Sequence, residues 1–369
     1  MFLSEGDCPY LKFKGFYFWR KMFVQFKQLT WKASLLATIL SILAFTIALA
    51  APGDLDTTFD GDGKVTTNVV PTSPGRSDIA WGVAIQANGK IVAAGLSEIP
   101  GTFSQDFAVT RYNTNGSLDT TFSGDGRLIT NFGGGDLAFD VAVQPNGKIV
   151  VVGQSCPGSD ICNVALARYN SNGTLDTTFS GDGKQKTDFG GGDNRAHSVA
   201  IQSNGKIVLG GWMWNGTNRD FAIYRYNSNG TLDTTFSGDG MVNIGFGAGR
   251  QDRATDLVIQ SDGKIVVVGD TGDASDANYN FAVARLNANG SLDTTFSGDG
   301  KQVSNFGGED YSAAVTLQAD GKIVVAGNKF VIATSINAFA LARYNVDGSL
   351  DTTFNGTGRK VFTVITNGS

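Results

Sequence analysis

The sequence is poor in histidine, proline and cysteine, with 1, 7 and 3 residues of these types among 369. A single histidine argues against histidine-ligated metals and against catalytic triads with a histidine base. Glycine is abundant at 49 residues, but it does not recur at every third position, which excludes a collagen-like chain. A hydrophobic content of 41% excludes a disordered chain. Many glycines with few prolines predict tight turns between short strands.

An uncharged apolar run occupies residues 34–50, follows two lysines and ends in Ala-Leu-Ala. This layout predicts a secretory signal peptide over residues 1–50, cleaved after Ala50, with Met22 as the true start. The alternative is an uncleaved membrane anchor, but the run is short against the roughly 20 residues needed to span a bilayer. The sequence therefore predicts a protein that is secreted or displayed at the cell surface, with no membrane attachment after cleavage.

The charge balance excludes one class of partner. The whole chain has a formal net charge of −5, and the signal peptide carries more basic than acidic residues, so the mature chain is more acidic still. Such a chain lacks the basic footprint of a protein that binds nucleic acid. Its two remaining cysteines, Cys156 and Cys162, lie close together and predict a disulfide in an oxidising compartment. Zinc would need two more ligands, which the neighbouring sequence lacks.

The pentapeptide Leu-Asp-Thr-Thr-Phe dominates the rest of the sequence and recurs at intervals of 57 to 63 residues. Its six copies begin at Leu55, Leu118, Leu175, Leu232, Leu292 and Leu350. Self-similarity at such a period is the signature of repeat architectures. Residues 51–369 are therefore predicted to form a single domain of sequence repeats.

Each repeat predicts four short strands, which in one copy cover residues 140–144, 148–153, 163–170 and 183–189. The pair Asn146-Gly147 predicts a two-residue type I′ hairpin turn between the first two. No sustained helical period is present outside the signal peptide. Four antiparallel strands repeated radially form a β-propeller blade. A stacked β-solenoid is the alternative, but its repeats are usually shorter and lack two-residue hairpins.

Counting the predicted strands gives an all-β propeller with five complete blades and one surplus strand. The fourth strand occurs six times if residues 63–69 and 358–364 are included, whereas the other three occur five times. The N-terminal copy could pair with the last blade, the ring could stay open, or another chain could complete it.

The motifs LDTTFSGDG, VAVQPNGKIVVVG and FALARYN resemble the delta-60 repeat of bacterial secreted and surface proteins. The resemblance covers about residues 53–369 and implies a propeller-like fold. The GKIVVVG strand is also similar, more weakly, to NHL-type propeller repeats. Neither resemblance brings an activity or a catalytic residue.

Residues that recur in every blade are predicted to be structural. The Asp of Leu-Asp-Thr-Thr-Phe is predicted to cap a turn, with a calcium site as the alternative. An Arg on every third strand is predicted to pair with a turn Asp, and a basic ligand-binding ring is the alternative. His197 stands in a column filled elsewhere by Trp81, Phe139, Thr255 and Ala313, which predicts a core or rim position.

An acid precedes the first strand of each blade and supplies a candidate ligand or cation ring. These residues are Asp78, Asp136, Asp193, Asp252 and Asp310. If the first strands line the axis, the carboxylates surround one mouth of the channel and their repulsion draws in a cation. The alternative is a set of exposed, well-separated turn acids.

The loops between second and third strands differ in every blade, and one of them contains Trp212 and Trp214. Variable loops on a rigid scaffold are where binding is normally built, so these two aromatics are candidate binding residues. The sequence predicts a secreted, non-enzymatic binding or scaffold module for an extracellular protein or glycan, without a cofactor. The alternatives are a propeller hydrolase of the lactonase or phosphotriesterase kind with an axial metal, and a calcium-stabilised adhesion-type protein.

Overall fold

The computed structural model describes residues 53–71, 77–101, 104–158, 161–190, 192–331 and 336–362. The predicted signal peptide lies outside these residues. The chain divides into two compact units, residues 1–63 and residues 64–369. The described residues of the first unit form turns, and all five described sheets belong to the second.

Each sheet is one blade of four strands. Blade 1 contains β1 (Asp78–Ile85), β2 (Ile91–Glu98), β3 (Gln105–Tyr112) and β4 (Arg127–Thr130). Blade 2 contains β5 (Gly135–Val143), β6 (Ile149–Cys156), β7 (Asn163–Tyr169) and β8 (Lys184–Thr187). Blade 3 contains β9 (Asn194–Ile201), β10 (Ile207–Trp214), β11 (Arg219–Tyr226) and β12 (Met241–Ile244). Blade 4 contains β13 (Gln251–Ile259), β14 (Ile265–Gly272), β15 (Asn280–Leu286) and β16 (Lys301–Ser304). Blade 5 contains β17 (Glu309–Leu317), β18 (Ile323–Val331), β19 (Ile336–Tyr344) and β20 (Arg359–Phe362).

The strands of a blade are hydrogen-bonded in chain order and are antiparallel throughout. The first strand of each blade packs beside the first strand of the next, from β1 through β5, β9 and β13 to β17. The predicted all-β propeller with five complete blades is therefore confirmed. In the described residues, no helix is long and apolar enough to cross a membrane.

The hairpin between first and second strands is not of the predicted type. In blade 2, Gly147 N donates to Gln144 O at 2.8 Å, and Gly147 has a φ of 81° whereas Asn146 is not in the positive region. A type I′ turn requires positive φ at both central residues. The observed turn is type I, with Pro145 at the position that its fixed φ favours. The type I′ prediction is wrong, but the predicted antiparallel return of the chain is confirmed.

The Leu-Asp-Thr-Thr-Phe motif joins the third strand of a blade to its outer strand. In blade 2, Leu175 forms an isolated bridge with Tyr169, and Gly183 N donates to Phe179 O at 2.8 Å before β8 begins. Gly183 has a φ of 86°, and a Cβ there would lie 2.8 Å from the Cβ of Leu175, so the turn needs glycine. Each blade thus takes its outer strand from the sequence repeat that follows.

A tyrosine joins adjacent blades. Tyr169 OH of blade 2 donates to Thr130 Oγ1 on the outer strand of blade 1 at 2.8 Å. The same bond recurs as Tyr226 to Thr187 and as Tyr344 to Ser304. Between blades 3 and 4 the equivalent positions hold Leu286 and Ile244, which lie in one buried apolar cluster. Where the inner position holds tyrosine, the outer strand of the preceding blade therefore holds a hydroxyl residue, and where it holds leucine, the outer strand holds isoleucine.

This pairing predicts a double-mutant result. The substitution Ile244→Thr places a hydroxyl among apolar side chains and is expected to destabilise the protein by about 2 kcal/mol. Adding Leu286→Tyr is expected to recover part of that loss, because the phenol supplies the bond found at the other junctions. Urea unfolding of the single and double variants measures the coupling, and additive effects would contradict the pairing.

The outward faces of the first and last blades are less covered than the faces between blades. Val83 and Ile85 on β1 are 66% and 72% exposed, whereas Val141, at the position of Val83 in blade 2, is 4% exposed. At the other end, Phe339 is 56% exposed, while the equivalent Phe281 is fully buried. In the described residues β17 and β1 do not make the extensive contact that joins the first strands of successive blades.

The predicted surplus strand lies on the outward face of blade 1. Residues 64–69 join none of the five described sheets. Thr67 Oγ1 accepts a bond from Tyr112 OH at 2.8 Å, and Val69 N donates to Asp78 Oδ2 at 2.9 Å. These are the contacts that an outer strand makes with the following blade. A groove of about 480 Å³ separates part of this segment from β1 and β2.

The predicted disulfide is present. Cys156 ends β6 and Cys162 precedes β7, and their Cα atoms are 4.1 Å apart. Replacing both cysteines by serine is expected to lower the free energy of unfolding by about 2 kcal/mol, because the bridge restrains only a short loop in the unfolded chain. Chemical denaturation with and without reductant measures this loss. The double variant should not respond to reductant, and an equally stable reduced wild type would contradict the expectation.

Candidate functional site

The turn aspartates are engaged within the protein. In blade 2, Asp176 Oδ2 accepts bonds from Arg168 Nε and Lys148 Nζ, each at 2.6 Å, and Oδ1 accepts Thr178 Oγ1 at 2.7 Å. Burial alone would raise the pKa of this carboxyl, but the bonds from Lys148 and Thr178 and the charge of Arg168 hold it well below its ordinary value. The same set recurs at Asp119, Asp233, Asp293 and Asp351.

The repeated arginine continues this network into the next blade. Arg168 stacks over the ring of Phe179 at 4.7 Å and donates from a terminal nitrogen to the carbonyl of Ser228 in blade 3. The corresponding bonds are Arg111 to Ser171, Arg225 to Ala288 and Arg285 to Val346. The predicted Arg–Asp pair is present, through Nε alone. Because these arginines are buried, they do not form a ring open to a ligand.

Four of the five acids in the candidate ring bind backbone instead of surrounding an open mouth. Their Oδ2 atoms accept the amide N–H groups of Val69, Phe132, Phe246 and Phe306. Asp136, Asp252 and Asp310 are fully buried, and burial raises the pKa of each. In the described part of the chain no group of three or more His, Cys, Asp or Glu side chains could hold a metal ion.

The fifth acid of the candidate ring, Asp193, lies one residue outside this column. The buried side chain at the equivalent position in blade 3 is Asn194, whose Nδ2 donates to Gly192 O at 2.9 Å. Asp193 pairs instead with Arg195, through Nε at 3.1 Å and a terminal nitrogen at 2.9 Å. The five acids therefore have two different environments.

The loop end of blades 3 and 4 carries a cluster of arginines and aromatic rings that the sequence reasoning did not single out. Trp212 lies between Arg195 and Arg219, whose guanidinium carbons are 4.8 and 5.0 Å from its ring centre. Asp276 bridges Arg219 and Arg253, with N–O distances of 3.5 and 2.5 Å. We call these five residues the Arg–Trp cluster. The sequence does contain a signal for this cluster. In blades 3 and 4 the second residue of the aligned first-strand segment is Arg195 or Arg253. The other blades have Ile79, Leu137 and Tyr311 at this position.

The two candidate tryptophans have different environments. Trp214, the last residue of β10, is 39% exposed, as expected for a binding residue. Trp212 is only 6% exposed, because the two arginines cover its faces. The candidate binding residue Trp212 is therefore not itself accessible to a ligand. It supports the arginines, whose side chains are about one-third exposed, at 31% for Arg195 and 30% for Arg219.

A second concave feature lies where the first strands approach one another. A cavity of about 530 Å³ is lined by Trp81, Phe139, Asp140, His197, Thr255, Asp256 and Ala313. We call it the axial cavity. The pKa of His197 falls to about 4, because burial and then the charges of Arg195 and Arg253 disfavour its protonation, so it is uncharged at neutral pH. The imidazole stacks on Phe139 with ring centres 4.5 Å apart.

A known family of sequence repeats matches this chain, but the match assigns no activity. A family model described as a domain of unknown function (DUF5122) beta-propeller matches five times. The matches cover residues 86–122, 144–179, 202–236, 260–296 and 318–354. Each match runs from the hairpin of one blade to the end of its Leu-Asp-Thr-Thr-Phe motif. None of the curated proteins matches the sequence.

Solved structures with a similar backbone include a protein of unknown function from Dyadobacter fermentans. It is 11% identical, with a TM-score of 0.46 over 80% of this chain and 89% of that chain. The α-L-arabinofuranosidase Arb93A from Fusarium graminearum is 10% identical, with a TM-score of 0.48 over 79% and 82% of the two chains. An α-L-arabinanase from Penicillium chrysogenum is 10% identical, with a TM-score of 0.46 over 71% and 77%. By its five family matches and its five four-stranded sheets, the chain belongs to a family of β-propeller repeats.

Proposed function

We propose that this chain is an extracellular binding module, exported by the signal peptide of residues 1–50, which recognises a glycan or a protein with the loop end of blades 3 and 4. The observation that carries the proposal is the Arg–Trp cluster. It has no counterpart at the turn end, where equivalent positions repeat from blade to blade.

The contrast between the two ends of the blades supports this assignment. At the turn end, the Asp, Arg, Lys and Thr side chains satisfy one another in the same way in every blade. At the loop end, the arginines of the cluster are partly exposed and lie beside the exposed Trp214. Arg and Trp are enriched among the residues that dominate binding energy at interfaces. Cations held on an aromatic face also lose little side-chain freedom when a ligand binds.

The proposal predicts a loss of binding without a loss of stability. The wild type is first screened on an array of glycans and cell-surface proteins to find a ligand that it retains. The variants Trp214→Ala and Arg219→Ala are then expected to bind this ligand at least tenfold more weakly. Melting temperatures should stay close to that of the wild type, because both side chains are partly exposed. Biolayer interferometry with the retained ligand gives the dissociation constants.

The control variants are Thr120→Ala and Thr177→Ala, two exposed residues of the turn end. They are expected to bind like the wild type. Equal binding by all four variants would show that the loop end of blades 3 and 4 is not the binding surface.

A further inference from the structure

The innermost strand of every blade contains one β-bulge at the same position. In blade 2 the pairing shifts between Ala138 and Asp140, so that Phe139 is an extra residue with no partner on β6. The equivalent extra residues are Trp81, His197, Thr255 and Ala313. A bulge redirects the side chain of its extra residue. All five of these side chains line the axial cavity.

The five side chains divide the axial cavity into two unlike walls. Trp81, Phe139 and His197 come from consecutive blades and form a row, with ring centres 5.2 and 4.5 Å apart. Thr255 and Ala313 are small and leave space opposite this row. Phe139 and His197 stack face to face with 14° between their planes, so the open aromatic face of the row belongs to Trp81, which is 47% exposed. A position that serves only to pack the blades would not need rings on one side and small residues on the other.

The acidic groups of the axial cavity are two carboxylates, and the side chains of His197 and Thr255 are its other polar groups. Asp140 accepts the amide N–H groups of Val141 and Val199, each at 2.8 Å, and Asp256 accepts those of Leu257 and Val315, each at 2.8 Å. Asp256 also accepts a bond from Ser198 Oγ at 2.8 Å. A carboxylate has about four acceptor sites, so each of the two still retains capacity for a hydroxyl donor. Two carboxylates in one cavity also disfavour an anionic ligand there.

We infer that the axial cavity binds a neutral sugar ring, stacked on the exposed ring of Trp81 at the end of this row, with its hydroxyls directed to Asp140 and Asp256. A sugar ring presents an apolar C–H face and a rim of hydroxyl donors, which match an aromatic surface beside carboxylate acceptors. The volume of about 530 Å³ is within the range of small-molecule sites. The inference goes beyond the proposed function, since no residue of the Arg–Trp cluster lines this cavity, and it adds a second site with saccharides as its ligand class.

Two substitutions on opposite walls test the site. Wild-type protein is titrated with glucose, galactose and their disaccharides at millimolar concentrations, and with glucuronate as the anionic counterpart. Isothermal calorimetry and tryptophan fluorescence report binding. Trp81→Ala is expected to weaken binding of the neutral sugars at least tenfold, and Ala313→Trp to abolish it by filling the space. Trp81→Phe, which keeps an aromatic face, is expected to stay within about threefold of the wild type, since each tenfold change corresponds to about 1.4 kcal/mol.

Trp81 and Ala313 are exposed, so these variants are expected to fold, and their melting temperatures verify this. The inference is overturned if no neutral sugar of the panel binds, if glucuronate binds more tightly than the neutral sugars, or if both wall variants bind like the wild type. The proposed function fails by a different result, namely unchanged binding in the Trp214 and Arg219 variants. If those variants lose binding to a protein ligand and the wild type responds to no sugar, the proposed binding function stands and the saccharide site is contradicted.

Discussion

Replacing Asp176 by Asn is expected to lower the free energy of unfolding by about 3–5 kcal/mol, the usual loss when one partner of a buried ion pair is removed. Arg168 is buried beneath blade 3 and cannot be rehydrated when its counter-charge disappears. The same carboxylate also holds Lys148 and Thr178, so one substitution disturbs both the turn and the contact between two blades. Equilibrium unfolding in urea measures the loss.

The chain supplies a matched control at Asp56. This residue occupies the same position of the motif in its first copy, but it is exposed, and in the described residues its carboxylate accepts bonds only from Thr58. Asp56→Asn is expected to change the free energy of unfolding by less than about 0.5 kcal/mol. Similar losses in both variants would mean that the motif stabilises its own turn and does little for the contact between blades.

Acid should remove the difference between the wild type and Asp176→Asn. The pKa of Asp176 is lower in the folded state than the value of about 4 expected in the unfolded chain. A group of this kind contributes stability that is fully present above the unfolded pKa and is lost as the pH falls toward the folded pKa. The two unfolding free energies are therefore expected to converge below about pH 4, and a constant difference down to low pH would contradict this origin.

The second large effect concerns two valines at equivalent positions. Val141→Asp on β5 is expected to cost more than about 4 kcal/mol, because it buries a carboxylate within the apolar contact between blades 1 and 2. Val83→Asp on β1 is expected to cost less than about 0.5 kcal/mol, because Val83 is 66% exposed. Thermal unfolding of both variants at one protein concentration gives the comparison.

The Val83 result has a further use. If Val83→Asp destabilises the protein as strongly as Val141→Asp, the outward face of blade 1 is covered in solution. Repeating the measurement over a range of protein concentrations then distinguishes a second copy from a covering within one chain, because only association depends on concentration.

The parts of the fold that could be predicted are those that every repeat encodes. The strands of blade 2, the Arg168–Asp176 pair and the disulfide each follow from a local pattern. The hairpin at Asn146-Gly147 is type I, and the same turn forms in the other four blades, where Ala or Ser stands in place of Pro145. An Asn-Gly pair is compatible with both turns, since glycine can take the positive φ at the last central position of one or directly after the central pair of the other, so the pair alone does not fix the turn type.

The candidate site was harder to predict, for two physical reasons. An acid at a strand start appears solvated in a sequence, whereas Asp136 is buried because its carboxylate satisfies a backbone amide. In blade 3 the charge of Asp193 points to the wrong residue, because the buried position of the column holds the uncharged Asn194. The position of Trp212 depends on Arg195 and Arg219, which meet it across neighbouring strands, and no spacing along the chain indicates that contact.

The offset between blade and sequence repeat has a consequence for how such genes change. Because the outer strand of each blade is encoded after the next Leu-Asp-Thr-Thr-Phe motif, no single repeat encodes a whole blade. Unequal recombination that duplicates or deletes one repeat length nevertheless adds or removes one complete blade, wherever its breakpoints fall. The turn-end contacts are regenerated by every such event, since each motif finds the same arginine before it and the same hairpin after it. The pairs between outer strand and next blade, such as Tyr226 with Thr187 and Leu286 with Ile244, are kept only when the breakpoint does not separate their members. Blade number can therefore drift among descendants of one gene, while loop ends such as the Arg–Trp cluster diverge independently.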